Sequence, residues 1–460
     1  MSDLLRQLES IYGRRADGRY GLEDISQLQH ALQTAALAEA QGEAPALVLA
    51  ALLHDVGHMV HGLGDNPAAE GVDDRHEIVG ADWLAARLPS SVSEPVRLHV
   101  AAKRYLCGTE PDYAARLAPD SVLSLSLQGG PMTEAEAARF KALPHADAAI
   151  RLRRLDDTAK DPAAATPPVG HFLRHLPAAR IGSAERDAFR RDGFVVLRGA
   201  LSDRDVAQVA ALSGAMGRTA AAQLARARRR GVSPAELARR DGGLIVVPEA
   251  GDPAQVCRFE YLIGSDAAFA ALVAACVAPP IEGLAGERFI PFKDKENEKH
   301  PGGGAFRPHQ DFAAYRAFGP RYNITAMLSI DPATRANGCV EFAAGWMAAV
   351  RADPTLAADW IDGRALLRCR QGGAFNGDVM EEIADRLAWT AVETAPADLV
   401  LFDSFVPHRS APNRTGRSRR AMFLTFNAAR EGDWYARYYA DKRANFDDPK
   451  FHVSTPTAHK

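Results

Sequence analysis

Cysteine is scarce in this chain of 460 residues: Cys107, Cys257, Cys276, Cys339 and Cys369 are scattered and never spaced as CxxC. Neither a zinc–thiolate site nor a disulfide framework is expected from so few and so dispersed thiols. Aromatic residues are also sparse at 7%, and the net charge is only −3, with no block of like charge. A broadly basic nucleic-acid surface and a disordered polyelectrolyte tail are therefore excluded. No uninterrupted run of 18 apolar residues occurs, and the opening "MSDLLRQLES" is charged within its first six positions, so neither a signal peptide nor a membrane span is expected and the cytoplasm is the expected compartment. Without thiolates, any metal must be held by histidine and carboxylate, a donor set that suits iron, manganese or magnesium.

Hydrophobic residues make up 47% of the chain, enough for more than one core. From Ser26 to Asp157, apolar residues recur at three- and four-residue intervals in "SQLQHALQTAALAEA", "APALVLAALLHDVGHMV", "HEIVGADWLAARL", "VRLHVAAKRYL" and "HADAAIRLRRLDDTAK", which predicts an all-α domain. "KDPAAATPPVG", residues 160–170, breaks every periodicity and reads as a linker or a domain-end wrap. Beyond about Ile181 the texture becomes short β-rich runs, "GFVVLRGAL", "GLIVVPE", "NITAMLSI", "GCVEF", "DLVLFDSF" and "RAMFLTF", separated by Gly, Pro and Asn. Among the intervening helices the clearest begins at Ser202, with Asp205 completing a capping box. The expected architecture is a helical bundle over 1–176 followed by a β-sandwich or barrel with flanking helices over 177–460.

In the helical half, His30, His54, Asp55, His76, His99 and Asp156 all fall within or at the ends of apolar-periodic helices, where unpartnered polar groups are costly to bury. Four histidines on four helices, with the adjacent His54–Asp55 pair, predict a bundle-core site in which Asp55 bridges two metals. "LLHDVGH" resembles the signature of the HD superfamily, whose simplest members bind one metal through residues matching His30, His54, Asp55 and Asp156. Most of that superfamily are phosphohydrolases. The further His76 and His99 resemble the dinuclear version, found in mixed-valence diiron oxygenases and in some phosphodiesterases.

A finer resemblance, covering about residues 10–175, is to the diiron oxygenases that cleave 2-amino-1-hydroxyethylphosphonate to glycine and phosphate. It rests on "HVAAKRYL", where Lys103 lies one turn after His99, on "RLRRLDDTAK", where Arg153 precedes Asp156 by three, on "SLSLQGGPM", read as a polar loop, and on "RYGLED". The resemblance implies a ferrous–ferric pair, with Lys103, Arg153 and Ser121 holding the phosphonate, Tyr20 guarding the open iron position and Glu23 meeting the substrate ammonium. The alternative reading of Lys103 and Arg153 is a solvated helix face. His58, one turn after His54, is expected to support the ligands from behind, and His61 to lie at the surface.

In the β half, "FRPHQDF" gives His309 and Asp311 as HxD, and "FDSFVPHRSAPN" gives His408 at the end of an apolar strand. Two histidines and a carboxylate are the facial triad of non-haem Fe(II) oxygenases. With Arg419 eleven residues past His408, and with "NGCVEFAAGW" at 337–346, residues 184–435 resemble the phytanoyl-CoA dioxygenase family of Fe(II)/2-oxoglutarate hydroxylases. That resemblance implies a double-stranded β-helix, Fe(II), 2-oxoglutarate and O2 as cofactors and co-substrates, Arg419 on the distal carboxylate of 2-oxoglutarate, and Asn323 near the same molecule. "FKDKENEKHPGGG", 292–304, is read either as a solvated mixed-charge loop or as an anion clamp in which Lys293, Lys295 or Lys299 closes over substrate, with Lys299 the substrate-binding choice.

Together the resemblances imply consecutive steps on a small organophosphonate: hydroxylation of C1 of 2-aminoethylphosphonate, then oxidative C–P cleavage. Neither nucleic acid nor membrane is an expected partner, and nothing in the chain fixes an oligomeric state. Three rivals remain: a phosphohydrolase fused to an unrelated hydroxylase, one half retained only as a scaffold, and an N-methylated aminophosphonate as substrate.

Overall fold

The computed structural model describes residues 7, 8, 10–12, 25–60, 74–179, 181–240, 243–249, 251–372 and 376–451. The backbone divides into two compact units, 2–182 and 183–460.

The first unit is helical: α1 (Gln27–Ala40), α2 (Pro45–Leu53), α3 (Val56–Val60), α4 (His76–Ala85), α5 (Ser90–Thr109), α6 (Pro119–Leu127) and α7 (Ala146–Thr158) surround the candidate ligands. Ser26 opens α1 through a capping box with Gln29, which satisfies two of the orphan amides at the helix start. The long periodic run through residue 60 is not one helix. It stops after the fully buried stretch Leu47–Leu53 and resumes at Val56, and this break lets two adjacent side chains, His54 and Asp55, both turn inward. Gly57 makes the close approach of α4 feasible, because a Cβ there would sit 2.0 Å from the His76 carbonyl oxygen.

One further expectation is corrected in this unit, and one pair of alternatives is decided. "SLSL" belongs to α6, started by Pro119 at its first turn, and the loop begins only at Gly129 and Gly130, whose φ angles are 93° and 72°. Residues 160–170 wrap the helical unit: the Gln33 amide donates to the Asp161 carbonyl at 2.7 Å and accepts from the Asp161 amide at 3.0 Å.

The second unit contains β1 (Phe194–Leu197), β2 (Ile245–Pro248), β3 (Val256–Glu260), β4 (Phe289–Lys299), β5 (Phe306–His309), β6 (Asn323–Ser329) and β7 (Val340–Ala343). It continues with β8 (Ala357–Ile361), β9 (Arg364–Leu367), β10 (Trp389–Val392), β11 (Leu399–Asp403), β12 (His408–Ser410) and β13 (Arg419–Ala428). A seven-stranded antiparallel sheet in the order β1-β11-β6-β13-β4-β3-β2 and a four-stranded one in the order β10-β7-β12-β5 form the double-stranded β-helix, and β8 pairs with β9. Phe342, Phe402, Phe405 and Val406 are among its buried core residues.

Residues 292–299 are not a solvated loop or a lid but part of the central strand β4, bonded to β13 on one side and β3 on the other, and only residues 300–304 form a loop. Charge on both faces concealed the strand. Lys293, Lys295, Asn297 and Lys299 alternate with Asp294, Glu296 and Glu298, so the two-residue period is written in charge sign rather than in hydropathy.

Ala267–Ala285 is long and apolar enough to cross a membrane by length and composition alone. It folds as two helices, Ala267–Cys276 and Ala278–Ala285, with proline in the first turn of the second. Each is far shorter than the ~20 residues a span requires.

Candidate metal centres

In the helical unit, four imidazoles meet around one carboxylate. His30 Nδ1 donates to the Ala159 carbonyl at 2.9 Å, His54 Nδ1 to Ala51 at 2.9 Å and His99 Nδ1 to Val96 at 2.7 Å. Carbonyls only accept, so each of these rings carries its proton on Nδ1 and aims the lone pair of Nε2 inward. The Nε2 atoms of His30 and His54 are 3.1 Å apart, and those of His76 and His99 3.2 Å apart. Facing lone pairs at such distances call for a cation between them.

Asp55 spans the two pairs. Its Oδ2 lies 3.3 Å from His54 Nε2 and 3.7 Å from His30 Nε2, while its Oδ1 lies 3.6 Å from His76 Nε2 and 3.9 Å from His99 Nε2. Asp156 completes the first group at 3.2 Å from His30 Nε2. Two clusters of donors result, His30–His54–Asp156 and Asp55–His76–His99, each able to hold a metal ion, with the Asp55 carboxylate between them. Burial opposes ionisation of Asp55, but His54, His58 and His76 outweigh it and hold the carboxyl well below its usual range. Burial opposes positive charge at His54, and Asp55 and Asp156 outweigh it, so the two carboxylates favour a cation at this point. The cluster is thus short of positive charge, which two metal ions would supply.

Asp74 carries a role that the sequence reading missed: its carboxylate accepts from His76 Nδ1 at 2.9 Å and lies 2.8 Å from His58 Nδ1. His58 stacks on His76 with ring centroids 4.0 Å apart, so it supports the cluster from behind. The signal was "DDRHE", an acid two residues before a candidate ligand.

Lys103 is buried, one turn along α5 from His99, and donates to Ser124 Oγ at 2.8 Å. Burial and the neighbouring Arg153 pull its ammonium down to about 7. Arg153 reaches Ser121 Oγ at 3.4 Å and Tyr113 Oη at 3.2 Å, pairs with Asp156 at 2.8 Å, and also bonds Asp157. These side chains are a buried cluster and not a solvated helix face. Ser124, Tyr113 and Asp157 join it without having been singled out. Tyr20, Glu23 and His61 lie outside the described residues.

In the β unit, His309 on β5 and His408 on β12 are direct cross-strand partners, and their rings lie 4.2 Å apart. His309 Nδ1 donates to the Arg307 carbonyl at 2.7 Å and His408 Nδ1 to Val406 at 3.1 Å, so both Nε2 atoms again face one point. Asp311 Oδ1 lies 3.8 Å from His309 Nε2 and 4.0 Å from His408 Nε2. Burial raises the Asp311 carboxyl, but His408 and Lys295 outweigh it and leave it at about 2. The donor set fits one metal with open positions.

The triad opens into a cavity lined also by Lys295, Asn297, Lys299, Phe306, Arg419 and Phe423. Arg419 donates to the Gly338 carbonyl at 2.5 Å, yet its Nε has no partner, and neither has Asn297 Oδ1. Burial lowers the Arg419 guanidinium to about 10. A buried cation with an unmet donor fits a carboxylate guest such as the distal end of 2-oxoglutarate. The Asn-Gly turn at 337–338 has its function here: Gly338 has φ of 75°, and a Cβ on it would strike the Ala411 carbonyl at 2.1 Å.

Asn323 is not brought to this cavity. It is fully buried opposite Asn427, eight residues along β13 from Arg419, or roughly 26 Å at strand rise. Lys299 lines the same cavity beside Arg419 and donates to Ser410 Oγ at 2.7 Å and the Ala411 carbonyl at 2.6 Å, which leaves one ammonium N–H for a guest.

A jelly-roll that presents two imidazoles and a carboxylate to a cation-lined cavity has the donor set of the non-haem iron oxygenases. Over residues 189–421 the chain matches the model for phytanoyl-CoA dioxygenase (PhyH), and it belongs to that family. Residues 28–123 match the HD domain. The chain is 40% identical over 166 residues to the 2-aminoethylphosphonate dioxygenase of the uncultured bacterium HF130_AEPn_1, a match covering 36% of this chain and 56% of that protein. It is 39% identical over 170 residues to the 1-hydroxy-2-(trimethylamino)ethylphosphonate dioxygenase (glycine-betaine-forming) of Leisingera caerulea, covering 37% of this chain and 87% of that one. Among solved structures it is similar to apo EctD from S. alaskensis, with 22% identity, a TM-score of 0.42, and coverage of 55% of this chain and 83% of that chain.

Proposed function

We propose that the chain carries out two consecutive oxidations of an aminophosphonate. The β unit hydroxylates C1 of 2-aminoethylphosphonate while 2-oxoglutarate and O2 become succinate and CO2. The helical unit then converts 2-amino-1-hydroxyethylphosphonate and O2 into glycine and phosphate. The observation that carries this reading is the presence in one chain of two distinct donor sets, a bridged six-ligand cluster and a facial triad. The names of the two relatives, an aminophosphonate dioxygenase and a hydroxyphosphonate dioxygenase, support it.

His309, Asp311 and His408 would hold Fe(II), and His30, His54, Asp55, His76, His99 and Asp156 a ferrous–ferric pair; bound there, these irons supply the activation of O2. The protein's own groups do the rest. Arg419, assisted by Lys299 and Asn297, orients 2-oxoglutarate from its far end. Lys103 and Arg153 hold the phosphonate of the hydroxylated intermediate beside the bridged cluster and stabilise the departing phosphate. A phosphohydrolase reading of the helical unit requires no O2. An N-methylated aminophosphonate remains a second reading, favoured by the trimethylamino group in the name of the Leisingera relative.

Phosphorus NMR of the iron-loaded chain with 2-aminoethylphosphonate, 2-oxoglutarate, ascorbate and air tests the proposal. Substrate, hydroxylated intermediate and phosphate should appear in succession. Phosphate formed from the hydroxylated compound without O2, or no loss of substrate at all, overturns it.

A further inference from the structure

The register between β4 and β13 sorts the cations of the β-unit cavity into two stations. Arg419 is paired with Lys299, Ala421 with Asn297 and Phe423 with Lys295. Partners in an antiparallel pair point to the same side, and of these residues Lys295, Asn297, Lys299, Arg419 and Phe423 line the cavity. Lys295 lies four residues along the strand from Lys299, roughly 14 Å at strand rise.

The two stations differ in commitment. Lys299 gives its ammonium to Ser410 and Ala411. Lys293, the next lysine toward the strand start, stands over the rings of Tyr315 and Tyr438 at 5.2 and 5.6 Å. Lys295 lines the cavity with its Nζ 5.3 Å from the Phe423 ring, and among the described residues it has no hydrogen-bond or ion-pair partner. It also stands near the triad: its charge acts on His309, Asp311 and His408 alike, whereas that of Lys299 is coupled to Arg419.

Chemistry places a demand on the same spot. In a phosphonate hydroxylated at C1, phosphorus is bonded directly to the reacting carbon. The anionic group must therefore sit beside the metal, within a few ångströms of the ligands, and cannot be met by a cation at the remote Arg419 station. A desolvated dianion without a counter-charge would be strongly disfavoured there.

We propose that Lys295 is the residue that binds the phosphonate group in the β unit, and that Lys299 and Arg419 together form the 2-oxoglutarate end of the cavity. This assignment rests on the phosphonate-hydroxylase reading above. Lys295 thus sets specificity for an anionic group directly attached to the oxidised carbon.

The test compares the full iron-loaded wild-type chain with Lys295→Met, Lys295→Arg and Lys299→Met. Anaerobic calorimetry measures binding of 2-oxoglutarate and of 2-aminoethylphosphonate, and steady-state assays measure succinate against hydroxylated product. Lys295→Met should raise the phosphonate Kd and KM about 10- to 100-fold, the range for a hydrogen bond to a charged group, and leave the 2-oxoglutarate Kd within about twofold. Succinate should then exceed hydroxylated product, and Lys295→Arg should recover part of the phosphonate affinity. Lys299→Met should show the opposite pattern, a raised 2-oxoglutarate Kd with a smaller effect on phosphonate. A Lys295→Met chain with unchanged phosphonate affinity, or with equal losses for both ligands, overturns the assignment while a working wild type keeps the hydroxylase reading. A wild type that neither binds nor consumes the phosphonate overturns both.

Discussion

Lys103 shows how much one buried residue can set. Its ammonium stands at about 7 because burial penalises the charged form and Arg153 repels it. A cation with a lowered value is fully charged only below that value, so its hold on a phosphonate should weaken as pH rises through 7. We expect kcat/KM for 2-amino-1-hydroxyethylphosphonate to fall between about pH 7 and 9, since that ratio reports groups of the free enzyme. Lys103→Arg should flatten the profile, because guanidinium stays charged throughout. A wild-type profile that is flat to pH 9, or a fall retained in the arginine variant, would return the pH dependence to another group. The neighbouring Arg153 cannot play this part, because Asp156 and Asp157 hold its charge far above the range.

At the scale of elements, β3 is tied to the helix Tyr435–Ala444 by a buried ion pair. Lys442, on the helix Tyr435–Ala444, donates to both oxygens of Glu260 on β3 at 2.7 Å, and Arg258 lies 3.0 Å from the same carboxylate. Burial works against the Glu260 charge, but Lys442 and Arg258 outweigh it and hold the carboxyl far below its usual range. Removing one partner leaves an uncompensated buried charge, so Lys442→Met should cost about 3 kcal/mol of stability in the β unit. Lys442→Met with Glu260→Gln should recover much of that loss. Urea unfolding followed by tryptophan fluorescence would check it, and a single variant as stable as wild type would show that Arg258 alone suffices for Glu260.

At the scale of the molecule, two complete donor sets predict about three irons per chain, from one facial triad and one bridged pair. Replacing His309 and Asp311 by Ala should abolish use of 2-aminoethylphosphonate yet leave phosphate release from the hydroxylated compound. Replacing His54 and Asp55 should leave succinate formation and stop at that compound. Mixing the two variants should restore phosphate production, more slowly at high dilution, where the intermediate must find a second chain. A mixture that stays inactive, with each variant folded and loaded at its intact site, would show that the two units do not share an intermediate.

Sequence alone determined what each unit is made of. Apolar periods of 3.6 and 2 separate helices from strands, and a chain poor in cysteine leaves His30, His54, Asp55, His76, His99, Asp156, His309, Asp311 and His408 as the candidate ligands. Those residue types are costly to bury without a cation, so their presence in apolar helices and strands was informative on its own. Only the tertiary structure decided the partners. Ser124 and Asn297 carry no pattern of their own, and they acquire roles because remote segments bring them to the clusters. The break at His54–Asp55 and the strand at Lys293–Lys299 were hidden for the same reason. Local pattern records which face is apolar, whereas long-range packing and strand register decide which polar side chains share a site, separating Lys295 from Lys299 and Arg419 from Asn323.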